Sequence, residues 1–395
     1  MQTPASTRNF WLLAGLGAIV AGAGLAAAHT MELHGHVITG MGNEVVWGLP
    51  HVFAIFMIVA ASGVLNVASV GSVFGQAAYK PRARLSGLLC LALLAGGLMV
   101  LMLDLGRPDR IVVAMTHYNL RSVFAWNVVL YSGMAAIVLV YLWTLFEPAL
   151  ARWTRAAGIA ALVWRFVLTT GTGSIFGFLV ARQAYQSALL APLFILLSLA
   201  WGLALFLLAQ AALLHGAGRR MPDAVRQRLA RLLGIFVAAS LYLVAVQHMT
   251  ALYEARRGAF EAFILFGQGG GGRYALLFWA GYVLAGSLLP LLLVFLPRLA
   301  GERSLLAAAL LVILGAFAWL YVFIVGGQAF PLEIFPGHAV RSSFGDGAVA
   351  SYFPSLPELL LGVGGLGAAF LIALVGTRLF DMLPRDELAA KGQGA

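Results

Sequence analysis

Cys90 is the only cysteine in a chain of 395 residues. A single thiol excludes an intrachain disulfide. It also cannot supply the four thiolates that an iron–sulfur cluster normally takes, so any electrons that pass through this chain are carried by a partner or by a bound small molecule. Charge is scarce as well. Only 10% of residues are Asp, Glu, Lys or Arg while 62% are hydrophobic, and the mean hydropathy of +0.93 excludes a soluble globular protein. A phosphate-binding loop is missing too. The run Gly269 to Gly272 after Gln268 lacks the lysine and hydroxyl that such a loop needs, and reads as a flexible connection.

What is present is apolar length. Runs of about 20 apolar residues cross a bilayer core of about 30 Å as helices. Ten such runs are predicted, at 10–28, 49–71, 86–104, 124–146, 158–181, 189–214, 231–252, 274–296, 304–326 and 357–380. The first lacks a strongly basic leading region and reads as an integral span rather than a cleaved signal. The chain is therefore expected to be an all-α integral membrane protein, one polytopic domain over 1–395, with no soluble domain.

The formal charge of +10 is topological in origin. With the N-terminus inside, one side collects Arg8, Lys80, Arg82, Arg84, Arg152, Arg155, Arg219, Arg220, Arg226, Arg228, Arg231, Arg298, Arg303, Arg378, Arg385 and Lys391. The other side has half as many: Arg107, Arg110, Arg121, Arg182, Arg256, Arg257, Arg273 and Arg341, with Arg165 inside a span. The positive-inside rule then puts both termini in the cytoplasm. The basic excess faces anionic lipid and calls for no nucleic-acid partner. The larger connections, 29–48, 105–123, 253–273 and 327–356, all fall on the outer side, where a partner would dock.

Placed by depth, several polar residues converge. His51 lies about one turn below the outer surface, with Trp47 just before its span. Asp104 ends an outward-running helix on that side, Asn119, Arg121 and Asn127 flank or enter the fourth span, and His248 and Glu254 close the seventh. Residues of four separate helices share one depth, which scattered structural polars have no reason to do. A carboxylate at the end of a membrane-length helix is costly to hold and marks a candidate functional site. Each residue also has a plainer reading. His51 or His248 would be satisfied core histidines, Asp104 a loop anchor on Arg107 or Arg121, and Trp47 an interfacial belt residue.

Deeper in the membrane, Ser62, Asn66 and Ser69 follow His51 at helical spacing, Arg165, Thr169 and Thr172 form a second stripe, and Ser240, Gln247 and Glu254 a third. Asn66, Arg165, Thr169 and Gln247 make a candidate proton path, although such side chains also bond helices together and Arg165 has a stem long enough to snorkel. His51 and His248 share the depth that a bis-histidine haem b would need, but nothing marks a haem-sized pocket. His29, Met31, His34, His36 and Met41 have a copper-like composition at irregular spacing, and a polar docking loop is the better reading.

Four motifs in order resemble one family. Trp47-Gly48-Leu49-Pro50 opens a span, Asp104-Leu105-Gly106-Arg107-Pro108 closes one, Asn119-Leu120-Arg121-Ser122 leads into the next, and Tyr352-Phe353-Pro354 with Glu358 starts the last. Together they are similar to the NrfD-like (PsrC-like) membrane subunits of polysulfide-reductase-type complexes, in the ten-helix form of DsrP and HybB.

The resemblance implies a core of two four-helix bundles and a quinone site near the outer surface. Asp104 and His51 would be its reacting groups, with Trp47, Asn119, Arg121, His248 and Glu254 around it. Quinone, either menaquinone or ubiquinone, is the implied cofactor, with no haem or iron–sulfur cluster in this chain and no metal. The implied partners are an outer iron–sulfur subunit, a multihaem cytochrome c and further membrane subunits, in the cytoplasmic membrane of a bacterium or archaeon. The chain would then work as one subunit of an oxidoreductase complex of respiration or sulfur metabolism, with proton translocation as an open extension. An ion or anion transporter, a haem b anchor and a purely structural anchor are the competing classes.

Overall fold

The computed structural model describes residues 7–332 and 347–382, and within them the chain is helical with no strand. Arg341, Arg385 and Lys391 of the charge count lie outside the described residues. Among the described residues, ten helices are long and apolar enough to cross a membrane. They are α1 (Thr7–His34), α2 (Leu49–Ser72), α3 (Ala83–Leu103), α4 (Val123–Phe146) and α5 (Thr154–Gly177). The remainder are α6 (Leu190–Gly216), α7 (Asp223–Tyr253), α8 (Gly272–Phe295), α9 (Glu302–Ala329) and α10 (Leu356–Leu379). The protein is a multi-span integral membrane protein.

Local chemistry sets several boundaries. Pro50 and Pro357 occupy the first turns of α2 and α10, where a missing N–H costs nothing. Ser355 and Glu358 close a reciprocal capping box on α10. The chain before 231 is not a simple connection, because α7 already begins at Asp223, directly after Pro222. Asp223 sits in its first turn and pairs with Arg226 one turn on. The 253–273 connection contains a short helix, Gly258–Phe266.

Helices α2 to α5 pack as one bundle and α6 to α9 as a second, while α10 lies against α1, α2 and α3. The apolar, almost wholly buried α2 joins the halves by packing on α6 and α9 as well as on its own bundle. At its crossing with α6 the backbones touch. A Cβ on Gly63 would sit 1.6 Å from the Ser198 carbonyl oxygen and one on Gly202 2.2 Å from the Gly63 carbonyl carbon, so both positions require glycine. One end of the bundles, termed the site face below, carries the 35–48 segment, the Asp104 end of α3 and the Gly258–Phe266 helix.

Candidate functional site

The site is built around the segment that leads into α2. The Leu49 N–H donates to the Tyr352 hydroxyl (2.6 Å), which donates to Glu358 Oε1 (2.5 Å). The second oxygen of Glu358 accepts from the N–H groups of Gly40 (2.8 Å) and Ser355 (2.6 Å). A Cβ at Gly48 would lie 2.6 Å from both Glu358 Oε1 and the Tyr352 oxygen, so the Trp-Gly start of α2 is a packing requirement. Burial and the bond to Glu358 push the Tyr352 phenol above its ordinary pKa, keeping it a neutral donor.

Gln328 of α9 clamps the same segment two to three residues earlier, at Val46 and Trp47. Its Oε1 accepts from the N–H groups of Val46 (3.1 Å) and Trp47 (3.0 Å), and its Nε2 donates to the carbonyls of Trp47 (2.9 Å) and Ile324 (2.8 Å). Arg182 donates to the carbonyls of Gln328 (2.5 Å) and Glu44 (2.8 Å), tying the 178–189 connection to both. Held this way, the Trp47 ring stacks on His51 at 6.1 Å between centroids and meets Phe176 edge-on at 5.5 Å.

One turn into α2, His51 Nδ1 lies 2.9 Å from Asp104 Oδ2. Asp104 ends α3, and its side chain is 2% exposed against 18% for His51. The contact is at ion-pair distance but not aligned along the ring N–H. Both buried carboxylate oxygens are left without an aligned hydrogen bond among the described residues. An unsatisfied buried carboxylate is costly unless a proton, water or ligand completes it.

Neither arginine expected as an alternative anchor reaches this carboxylate. Arg107 turns outward onto Asp109, at 2.9 and 2.8 Å, and holds that carboxyl below its ordinary pKa chiefly by hydrogen bonding. Arg121 is exposed, and its backbone N–H is received by Asn119 Oδ1 at 3.0 Å in a tight turn before α4. Asn119 and Arg121 therefore shape the approach to α4 and do not touch Asp104. One turn into α4, the buried Asn127 donates to the Val123 carbonyl and leaves its Oδ1 without a partner among the described residues.

His248 falls in the second bundle. Its Nδ1 lies 2.7 Å from Glu261 Oε2, on the Gly258–Phe266 helix, beside a cavity of about 30 Å³. Glu254 is mostly exposed and pairs with Arg257 at 3.4 Å. Glu261 escapes sequence reading because its helix lies inside a stretch that reads as a connection. The amphipathic order Gly-Ala-Phe-Glu-Ala-Phe is the available signal. His51 and His248 thus each face their own carboxylate in separate bundles. Of the copper-like set, His29, Met31 and His36 line one cavity, but no group of three or more His, Cys, Asp or Glu side chains placed to hold a metal ion occurs among the described residues.

Of the deeper polar residues, Ser62, Arg165 and Thr169 come together, with the Ser62 hydroxyl donating to the Arg165 carbonyl (3.2 Å) and lying 3.1 Å from the Thr169 hydroxyl. Arg165 is buried, its guanidinium sits over the Phe166 ring at 4.2 Å, and no carboxylate pairs with it among the described residues. Asn66 bonds within its own helix, to the Gly63 carbonyl. Gln247 lies in the second bundle, accepting from Ser187 at 2.7 Å. The four residues form no single hydrogen-bonded chain among the described residues.

Comparison with known proteins agrees with this architecture. Over 375 residues the chain is 28% identical to the Hdr-like menaquinol oxidoreductase integral membrane subunit of Archaeoglobus fulgidus, covering 91% of this chain and 92% of that one. It is also 28% identical to a Halobacterium salinarum protein provisionally named as a membrane subunit of dimethyl sulfoxide reductase, over 94% of this chain and 91% of that one. A selenate reductase subunit of Mesobacillus selenatarsenatis is 23% identical, over 86% of this chain and 87% of its own. Residues 37–332 match the family described as polysulphide reductase, NrfD, a region that holds Trp47, His51, Asp104 and both bundles, and the chain belongs to that family.

Proposed function

We propose that this protein is the quinone-interacting membrane subunit of a redox complex, and that it oxidises a quinol of the menaquinol class beside His51 and Asp104. The observation that carries this reading is the buried Asp104 carboxylate, 2.9 Å from an imidazole, with neither oxygen satisfied by an aligned hydrogen bond. Oxidation of a quinol releases two protons and two electrons. Asp104 and His51 supply two proton acceptors on one wall. Trp47 supplies a flat apolar wall beside them, in the usual design of a small-molecule site. The name of the Archaeoglobus relative supports menaquinol over ubiquinol.

The electrons need an acceptor beyond this chain, since one buried cysteine holds no cluster. We assign that role to an iron–sulfur or haem c subunit docked on the site face. The distribution of basic residues supports placing this face outside the cytoplasmic membrane, with both termini in the cytoplasm. Arg165, buried with Ser62 and Thr169, is proposed to support proton movement from the opposite side. A transporter built on paired broken helices gains no support. The two π-helical segments, Leu277–Leu288 and Val322–Gly326, both lie in the second bundle rather than in matching halves.

The test is Asp104→Asn in the assembled complex. Quinol oxidation is expected to fall by at least about 100-fold, the usual scale for losing a positioned proton acceptor, while the complex still assembles. Wild-type turnover in a correctly assembled variant would overturn the assignment.

A further inference from the structure

A second imidazole faces the other side of the Asp104 carboxylate. After α1 the chain turns at Gly35 (φ 76°) into a single 3-10 turn, His36–Ile38, which sends the His36 ring towards the end of α3. His36 Nε2 is 2.9 Å from the Asp104 carbonyl oxygen and 3.9 Å from its carboxylate Oδ1. The carboxylate is therefore flanked on both sides, by His51 at Oδ2 and by His36 at Oδ1.

The contact also fixes which ring nitrogen carries a hydrogen. A carbonyl only accepts, so Nε2 carries a hydrogen whatever the charge of the ring. The other ring nitrogen, Nδ1, faces the turn at Gly106. His36 is half-buried and borders a cavity of about 110 Å³ between α1 and α3, lined also by His29, Glu32 and Pro108. At about 30 Å³ per water, that space has room for a few water molecules. The cavity reaches the His36 ring, while the Asp104 side chain itself stays buried.

We infer that His36 is a positioning residue that sets the proton affinity of Asp104. Its Nε2–H holds the end of α3 by bonding the Asp104 carbonyl, an otherwise orphaned helix-terminal acceptor. When protonated, the ring places a positive charge 3.9 Å from Oδ1, which favours the ionised carboxylate. The groups that face this pair among the described residues are His51 from α2, and His29 and Glu32 from α1, while Arg107 of the following turn is engaged with Asp109. This inference rests on the reading of Asp104 as a proton acceptor.

The experiment compares wild type, His36→Gln, His36→Phe and Asp104→Asn in membranes containing the whole complex, following oxidation of a short-chain menaquinol analogue against pH. Gln keeps an N–H for the Asp104 carbonyl but carries no charge. Its acidic limb is expected to move to higher pH by about one unit, the scale for losing an opposite charge at this range. Phe, which lacks both donor and charge, is expected to show the same displacement with an added loss of turnover at all pH values. A His36→Gln limb that superimposes on wild type overturns the inference. Full turnover in Asp104→Asn instead overturns the underlying site assignment. A second measurement needs only the folded chain in lipid nanodiscs: an infrared titration of the Asp104 carboxyl band, identified by its loss in Asp104→Asn. The protonated band is expected to persist to higher pH in His36→Gln, and an unchanged titration overturns the inference.

Discussion

Removing the Gln328 side chain is expected to free the start of α2 without dissolving the bundles. The amide makes four hydrogen bonds, three of them to the backbone of Val46 and Trp47 and one to Ile324 within its own helix. Each such bond contributes about 0.5–1.5 kcal/mol net. Val46 is half-exposed, so water replaces part of its bond, whereas Trp47 is packed against His51 and Phe176. Gln328→Ala is therefore expected to weaken the local clamp by about 2–3 kcal/mol. Amide hydrogen exchange is the direct assay, since it reads local opening. At tenfold per 1.4 kcal/mol, exchange at Val46 and Trp47 should speed by roughly 30- to 150-fold. Amides in the middle of α2 and α3 should change little. Quinol turnover should fall with it, because Trp47 and His51 lose their fixed relation. Unchanged exchange at Val46 and Trp47 would refute the clamp. So would an equal increase throughout α2 and α3, which would mean that Gln328 supports the fold at large.

Two further outcomes follow from the same geometry. Tyr352 has a raised folded pKa, so its contribution is complete below the ordinary phenol pKa near 10 and is lost only as pH rises through the folded value. Wild type should therefore keep protection of the Leu49 amide across the neutral range, and Tyr352→Phe, which leaves both Leu49 N–H and Glu358 Oε1 unpartnered, should lose it by about tenfold or more at any pH. Arg165→Leu in liposomes should reduce proton uptake by about tenfold or more while electron transfer falls less. Equal loss of both, or no change in either, would remove the proton-path assignment.

The sequence is most informative where physics is one-dimensional. Membrane length and apolarity alone give the all-helical class and the number of candidate spans, ten among the described residues, because a bilayer imposes one length on every helix. Depth counting brings His51 and Asp104 to one level, and the structure sets them 2.9 Å apart. The groups that reach this site from distant sequence are not legible. Gln328 and Arg182 lie 281 and 138 positions from the backbone groups they hold, and no local pattern announces such a pairing. His36 is hidden by its company, a loop of histidines and methionines that reads as a docking surface. Glu254 stands out over Glu261 because it continues the helical stripe of α7. The chain turns out at Glu254, and the next short helix returns Glu261 to His248. The inner polar stripe likewise separates by bundle, since depth places a residue along the membrane normal but not around it.

The central claim is that the quinol ring lies beside His51 and Asp104, at the site face of the first bundle. A photoreactive menaquinone analogue, cross-linked in the intact complex and mapped by peptide mass spectrometry, tests it most directly. Labelling is expected in the peptides that carry Trp47 to Phe53 and Asp104, and should be suppressed by excess menaquinone. Saturable labelling confined to the His248 and Glu261 peptides, or to the basic end of α7, would contradict it.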